Sequence, residues 1–135
     1  MKTLKLKDKA TLENLDCFLS FVEQFAQKEG IDSGIITELV LVAEEVIVNV
    51  INYAYPQREG DVEVILIVDD NVLTFRVVDE GVPFDMTLVD DPNTSLTVDK
   101  KEIGGMGIYL VKHIMDEARY ERKDNKNILI LTKQC

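Results

Sequence analysis

Positive charge is scarce in this chain. Its 135 residues hold 15 lysines and arginines against 25 aspartates and glutamates, a formal net charge of −10. That balance argues against direct nucleic-acid binding, which needs a positive field to meet phosphates. A nucleotide ligand stays open, because backbone amides can make one local site positive. Metal-ligating and disulfide-forming residues are also few. Cys17, Cys135 and the single His113 form neither a disulfide framework nor a structural zinc set, and both cysteines are expected as free thiols. No apolar run reaches the roughly 18 residues of a membrane-spanning helix. The opening "MKTLKLKDKATLENLD" lacks the apolar centre of a signal peptide. The expectation is a cytoplasmic protein with no membrane partner.

Hydrophobic residues make up 46% of the chain and charged residues 30%, enough for one core and one domain over residues 1–135. "KTLKLK" alternates as a short strand. "TLENLDCFLSFVEQFAQKEG" has helical apolar spacing with Gly30 as its stop, and "DSGIITELVLVAEEVIVNVINYAYP" is a second helix, N-capped by Asp32 or Ser33. "DVEVILIVDDNVLTFRVVD" reads as a hairpin around Asp69–Asn71. A stretch without period follows over residues 86–103, roughly 18 residues, long enough to suggest a functional lid. A glycine cluster then leads into a third helix, ending near His113, whose imidazole is expected to pack. "EARYERK" and "NILILTK" form two more strands around Asp124–Asn125. The order β α α β β loop α β β predicts an α+β fold, a two-layer α/β sandwich whose mixed, mostly antiparallel sheet carries three helices on one face.

Three local features could carry chemistry. The second helix is apolar almost all round, but Glu45, Asn49 and Asn52 fall within about 60° of one another, with Glu38 beside them. A carboxylate one turn from an amide suits phosphoryl transfer. Asn49 can offer an oxygen to Mg²⁺, which takes one or two protein ligands and completes its shell with phosphate and water. Glu45 can orient or deprotonate an attacking hydroxyl. The same seam could instead be a hydrogen-bonded edge of the core. In "VVDEGVPFD", Asp79 ends a strand and can accept from the exocyclic amine of adenine, while Gly81 lets the backbone pass close under a flat base. Asp-Glu-Gly is also an ordinary tight turn. Gly104, Gly105 and Gly107 precede a helix, where free N–H groups and the dipole favour phosphate. They could equally form a hinge, and they match neither the Walker loop nor the dinucleotide fingerprint. Lys100 and Lys101, just before them, are read as solvated.

Glu-x-x-x-Asn on a helix, Asp-x-Gly after a strand, and a glycine-rich lid end before a helix together resemble the ATP-binding fold of gyrase, the heat-shock chaperone, histidine kinases and the mismatch-repair ATPase. Within it, "GGMGIYLVKHIMDEARY" and "DEGVPFD" look like the bacterial anti-sigma-factor serine kinases, in which Pro83 is tolerated where the wider superfamily has glycine. The resemblance implies a histidine-kinase-like ATPase fold using ATP and Mg²⁺. Glu45 would be the general base, chosen over Glu44 because it lies four residues before the magnesium ligand Asn49. Asp79 and Gly81 would bind adenine, and Gly104, Gly105 and Gly107 the phosphates. It further implies binding to a sigma factor, serine phosphorylation of a small antagonist protein, and, in many members, a homodimer. A non-catalytic ATP-dependent binding module and a histidine-kinase-like catalytic domain are the alternatives.

Overall fold

The computed structural model describes residues 1–88 and 106–135. Strand β1 (Lys2–Lys9) leads into helices α1 (Leu12–Lys28) and α2 (Ser33–Tyr53). Strands β2 (Asp61–Asp69) and β3 (Val72–Asp79) follow, then a 3₁₀ turn at Met86–Leu88. Helix α3 (Met106–Ile114) and strands β4 (Glu117–Lys123) and β5 (Lys126–Gln134) complete the order. The 3₁₀ turn occupies the start of the stretch read as a lid. Its remainder, with Lys100, Lys101, Gly104 and Gly105, lies outside the described residues.

The helix ends follow from local chemistry. Asp32, not Ser33, caps α2, its Oδ2 accepting from the Gly34 amide at 3.0 Å. Beyond α1, Gly30 takes φ +73°. The Gly30 and Ile31 amides donate back to the Gln27 and Ala26 carbonyls, both at 3.1 Å, a Schellman closure. Both hairpins turn on an Asp-Asn pair with positive φ at each residue, Asp70–Asn71 and Asp124–Asn125. These residue types tolerate the two left-handed positions of a type I′ turn, which matches strand twist.

The sheet order is β1-β2-β3-β5-β4. Every pairing among the described strands is antiparallel, so the expected mixed character is absent from them. On β3, Leu73, Phe75, Val77 and Asp79 are buried while the residues between them are half-buried, the period-2 pattern of a sheet covered on one face. Leu73, Phe75 and Val77 join Phe18, Val22, Leu39, Val46, Ile47, Leu66, Ile108, Val111 and Leu131 in one core. The other face carries a register row Lys5, Ile65, Arg76, Ile130, Arg119, in which long cationic stems flank the isoleucines. The Arg76 Nε in that row is buried without a partner among the described residues. His113 departs from the expected core packing. It is exposed and stacks against Tyr109, ring centroids 6.1 Å apart.

Candidate functional site

Register builds the site at one end of the sheet. Asp79, the last residue of β3, stays in phase with Leu73, Phe75 and Val77 and so points inward. Its cross-strand partner on β5 is Asn127, in phase with Leu129 and Leu131. Asn127 in turn pairs with Arg122 on β4. A polar row, Arg122–Asn127–Asp79, therefore terminates an otherwise apolar sheet face.

Asp79 and Asn127 are buried, 6% and 5% exposed, and so is Asn49 on α2, at 7%. The three line one cleft with Val50, Leu129 and Met86. Phe84 also lines it and leans on Tyr53 of α2, ring centroids 5.9 Å apart. Asp79 Oδ1 accepts from the Gly81 amide and from Asn127 Nδ2, each at 2.9 Å. Its Oδ2 accepts no bond among the described residues. Burial pushes the Asp79 carboxyl above the ordinary range, against the bonds from Asn127 and Gly81 and the charge of Arg122. An acceptor-only group in an apolar slot is suited to a flat heterocycle that offers an N–H donor.

Gly81 is required by a close approach. A Cβ there would collide with the Ala54 carbonyl beyond the end of α2, and the same carbonyl accepts from the Val82 amide at 2.9 Å. The turn after β3 is thus bound to the helix that carries Asn49. Arg122 Nη1 donates to the Gly81 carbonyl at 2.8 Å, and the Glu80 amide donates to the Tyr55 hydroxyl at 2.8 Å.

On α2, Asn49 Nδ2 donates to the Glu45 carbonyl at 2.8 Å, leaving Oδ1 without a donor among the described residues. Glu45, one turn earlier, is half-buried, whereas Glu44, Asn52 and Glu38 are exposed. The Glu45 carboxylate does not line the cleft. It rests against Gly107 in the first turn of α3, where a Cβ would strike Glu45 Oε2. The seam thus runs from the cleft, at Asn49, to the start of α3. Asn49, Asp79 and Gly81 meet at one end of it, Glu45 and Gly107 at the other. The last turn of α3 is tied to the 3₁₀ turn by Lys112 Nζ, which donates to the Thr87 carbonyl.

Sequence reasoning missed Asn127, Tyr120 and Arg122. Phase was the signal for two of them: Asn127 sits an even number of positions before Leu129 and Leu131, and Tyr120 alternates with exposed neighbours on β4, whereas Arg122 is itself exposed. A polar residue in phase with a buried row marks a functional or network position.

A buried carboxylate, a buried amide and a carboxylate at a helix start can hold a base, an oxygen-loving cation and a reacting hydroxyl along one line. Comparison with known proteins gives the family. The histidine kinase-like ATPase domain pattern matches residues 9–133. BtrW of Bordetella bronchiseptica, named a serine/threonine-protein kinase, is 26% identical over 132 residues, covering 97% of this chain and 93% of BtrW. RsbW of Bacillus subtilis, named a serine-protein kinase, is 33% identical over 101 residues, covering 71% of this chain and 63% of RsbW. Among solved structures, the RsbU and RsbW domains of a Mycobacterium tuberculosis protein superpose with a TM-score of 0.71 at 16% identity. That match covers 99% of this chain, which spans 32% of the longer one. The Acinetobacter baumannii histidine kinase AdeS superposes at 0.54 and 12% identity, over 96% of this chain and 67% of its own. The chain belongs to the histidine kinase-like ATPase domain family, in the branch of the anti-sigma-factor serine kinases.

Proposed function

We propose that the chain is an ATP- and Mg²⁺-dependent protein-serine kinase of partner-switching type, phosphorylating a serine on a small antagonist protein. The observation that carries this reading is Asp79, buried in an apolar cleft with one carboxylate oxygen unfilled, beside a buried Asn49 whose Oδ1 is unfilled too.

Asp79 Oδ2 accepts from the adenine amine, and Val50, Met86 and Leu129 exclude water from the ring faces. Gly81 keeps the backbone low enough for the base to enter. Asn49 Oδ1 would hold Mg²⁺. It fits as the single hard oxygen that this ion takes from protein beside phosphates. Bound there, the ion would neutralise phosphate charge. Gly107 lies at the start of α3, and Gly104 and Gly105 just before it in sequence. In this reading their backbone amides meet the phosphates. Glu45 orients the incoming serine hydroxyl and takes its proton as the γ-phosphoryl group moves to the serine oxygen and the bond to its bridging oxygen breaks, with ADP as the leaving group. Binding of a sigma factor or similar regulator, a lid over residues 86–103, homodimer formation and cytoplasmic residence belong to the same proposal. Among the described residues, no helix is long and apolar enough to cross a membrane.

A nucleotide-dependent binding module is the second reading, favoured by the contact of Glu45 with Gly107 rather than with the cleft. The test is incubation with ATP, Mg²⁺ and a small antagonist protein captured from the same cells, followed by mass spectrometry. Wild type should yield acid-stable phosphoserine, and Glu45→Ala should bind ATP with little change yet lose transfer by a factor of about 10² or more. Nucleotide-dependent capture without transfer supports the binding module, and an acid-labile product a histidine kinase. Equal transfer by the variant removes Glu45 as the base.

A further inference from the structure

Asn127 makes more bonds than any other side chain of the site, and every one of its polar atoms is used. Its Oδ1 accepts from the Tyr120 hydroxyl at 2.5 Å, Arg122 Nη1 at 3.1 Å and the Phe84 amide at 3.3 Å. Its Nδ2 donates to Asp79 Oδ1 at 2.9 Å and to the Val82 carbonyl at 2.8 Å. The amide can therefore sit only one way. Reversed, its oxygen would face two acceptors, Asp79 Oδ1 and the Val82 carbonyl, and its NH₂ two obligate donors, Arg122 Nη1 and the Phe84 amide.

This fixed orientation has a chemical result at Asp79. With the Gly81 amide, Asn127 saturates Oδ1 with two donors, so Oδ2 alone serves the cleft. Donors on the carboxylate also favour its charged form against the burial that opposes it. A carboxylate is acceptor-only. It pairs with the amine at position 6 of adenine and repels the carbonyl oxygen at position 6 of hypoxanthine or guanine. The neutral acid would carry its proton on Oδ2, the free oxygen, and would donate to that carbonyl instead.

We propose that Asn127 is the positioning residue that makes the Asp79 site selective for a 6-amino purine over a 6-oxo purine. The proposal rests on the adenine reading of Asp79. Asn127 acts through Asp79 and through the turn residues Val82 and Phe84, which it fastens to the sheet. The other charged or titratable groups around Asp79 are Arg122 and Tyr120 on β4, Tyr55 after α2, Glu80 next in the chain, and Lys7, Asp61, Glu63 and Lys126, which line a recess with it. None of them donates to Asp79 directly.

The experiment measures binding of ATP and of inosine triphosphate, each with Mg²⁺, by titration calorimetry on wild type, Asp79→Asn and Asn127→Ala. Wild type should prefer ATP. Asn127→Ala should lower the ATP-to-inosine-triphosphate affinity ratio by about tenfold, the effect of one hydrogen bond to a charged group, and the ratio should recover as pH rises. Equal loss of both affinities would mean a structural role and overturn the proposal. An unchanged ratio in Asn127→Ala, with the preference lost in Asp79→Asn, overturns it while leaving the adenine reading intact. No ATP preference in wild type, or one retained in Asp79→Asn, overturns both. Should Asn127→Ala not fold, the wild type still decides. The Asn127 side-chain amide protons must exchange slowly and as two distinct resonances by NMR, and solvent-rate exchange overturns the fixed orientation.

Discussion

Asp79 is 6% exposed, and the burial that suits it to a ligand works against the folded state. Because its carboxyl titrates above the ordinary range when folded, the native chain holds that proton more tightly than the unfolded chain does. Stability is then lost as pH rises from the ordinary carboxylate value through the raised one. Asp79→Asn removes the charge but keeps an oxygen for the Gly81 and Asn127 donors. Its expected melting temperature at neutral pH is equal to or above that of wild type, with the difference vanishing in acid, while ATP binding falls by about tenfold or more. A lower melting temperature at neutral pH would contradict this account. Single residues were also the scale at which the sequence was least legible. Asp79, Gly81 and Asn49 announced themselves because each stands in a short pattern with a chemical use. Asn127, Tyr120 and Arg122 did not, because their bonds reach 48, 7 and 41 positions along the chain, and each such pairing depends on strand register.

Elements were far more legible, because their signals are local. Apolar spacing places α1 and α2, the Asp-Asn pairs place both hairpin turns, and Gly30 places the end of α1. The choice between Asp32 and Ser33 needed geometry, since both residue types cap helices well. Asp32→Ala should cost about 1 kcal/mol and lower the melting temperature by a few degrees, with Asp32→Ser recovering most of it. If instead Ser33→Ala has the larger effect in thermal melts, the assignment of the cap is wrong. The 3₁₀ turn at Met86–Leu88 was not legible, because its Thr87 bonds run to Asp85 and its anchor to Lys112 of α3, a contact without sequence period.

At the scale of the whole molecule, the net charge of −10 is met by few compensating contacts. The two ion pairs among the described residues, Lys9–Glu59 and Arg119–Glu117, are both exposed, and such pairs contribute little. Self-repulsion should therefore be a measurable burden on the folded state. Raising salt from about 0.01 M to 0.1 M shortens the screening length from about 30 Å to 10 Å and is expected to raise the melting temperature. A flat response would mean that the negative groups are too dispersed to oppose folding.

Helix α2 has a further consequence. It carries Glu45 and Asn49, and Ala54 just past its end receives the turn of Gly81 and Val82. Nine positions separate Glu45 from Ala54, about 13 Å of helix. One rigid element therefore works as a ruler between the pocket end and the carboxylate end of the site. Its scale is set by backbone geometry rather than by any side chain, so the open sheet face can vary in sequence without altering the distance between the two ends of the candidate site.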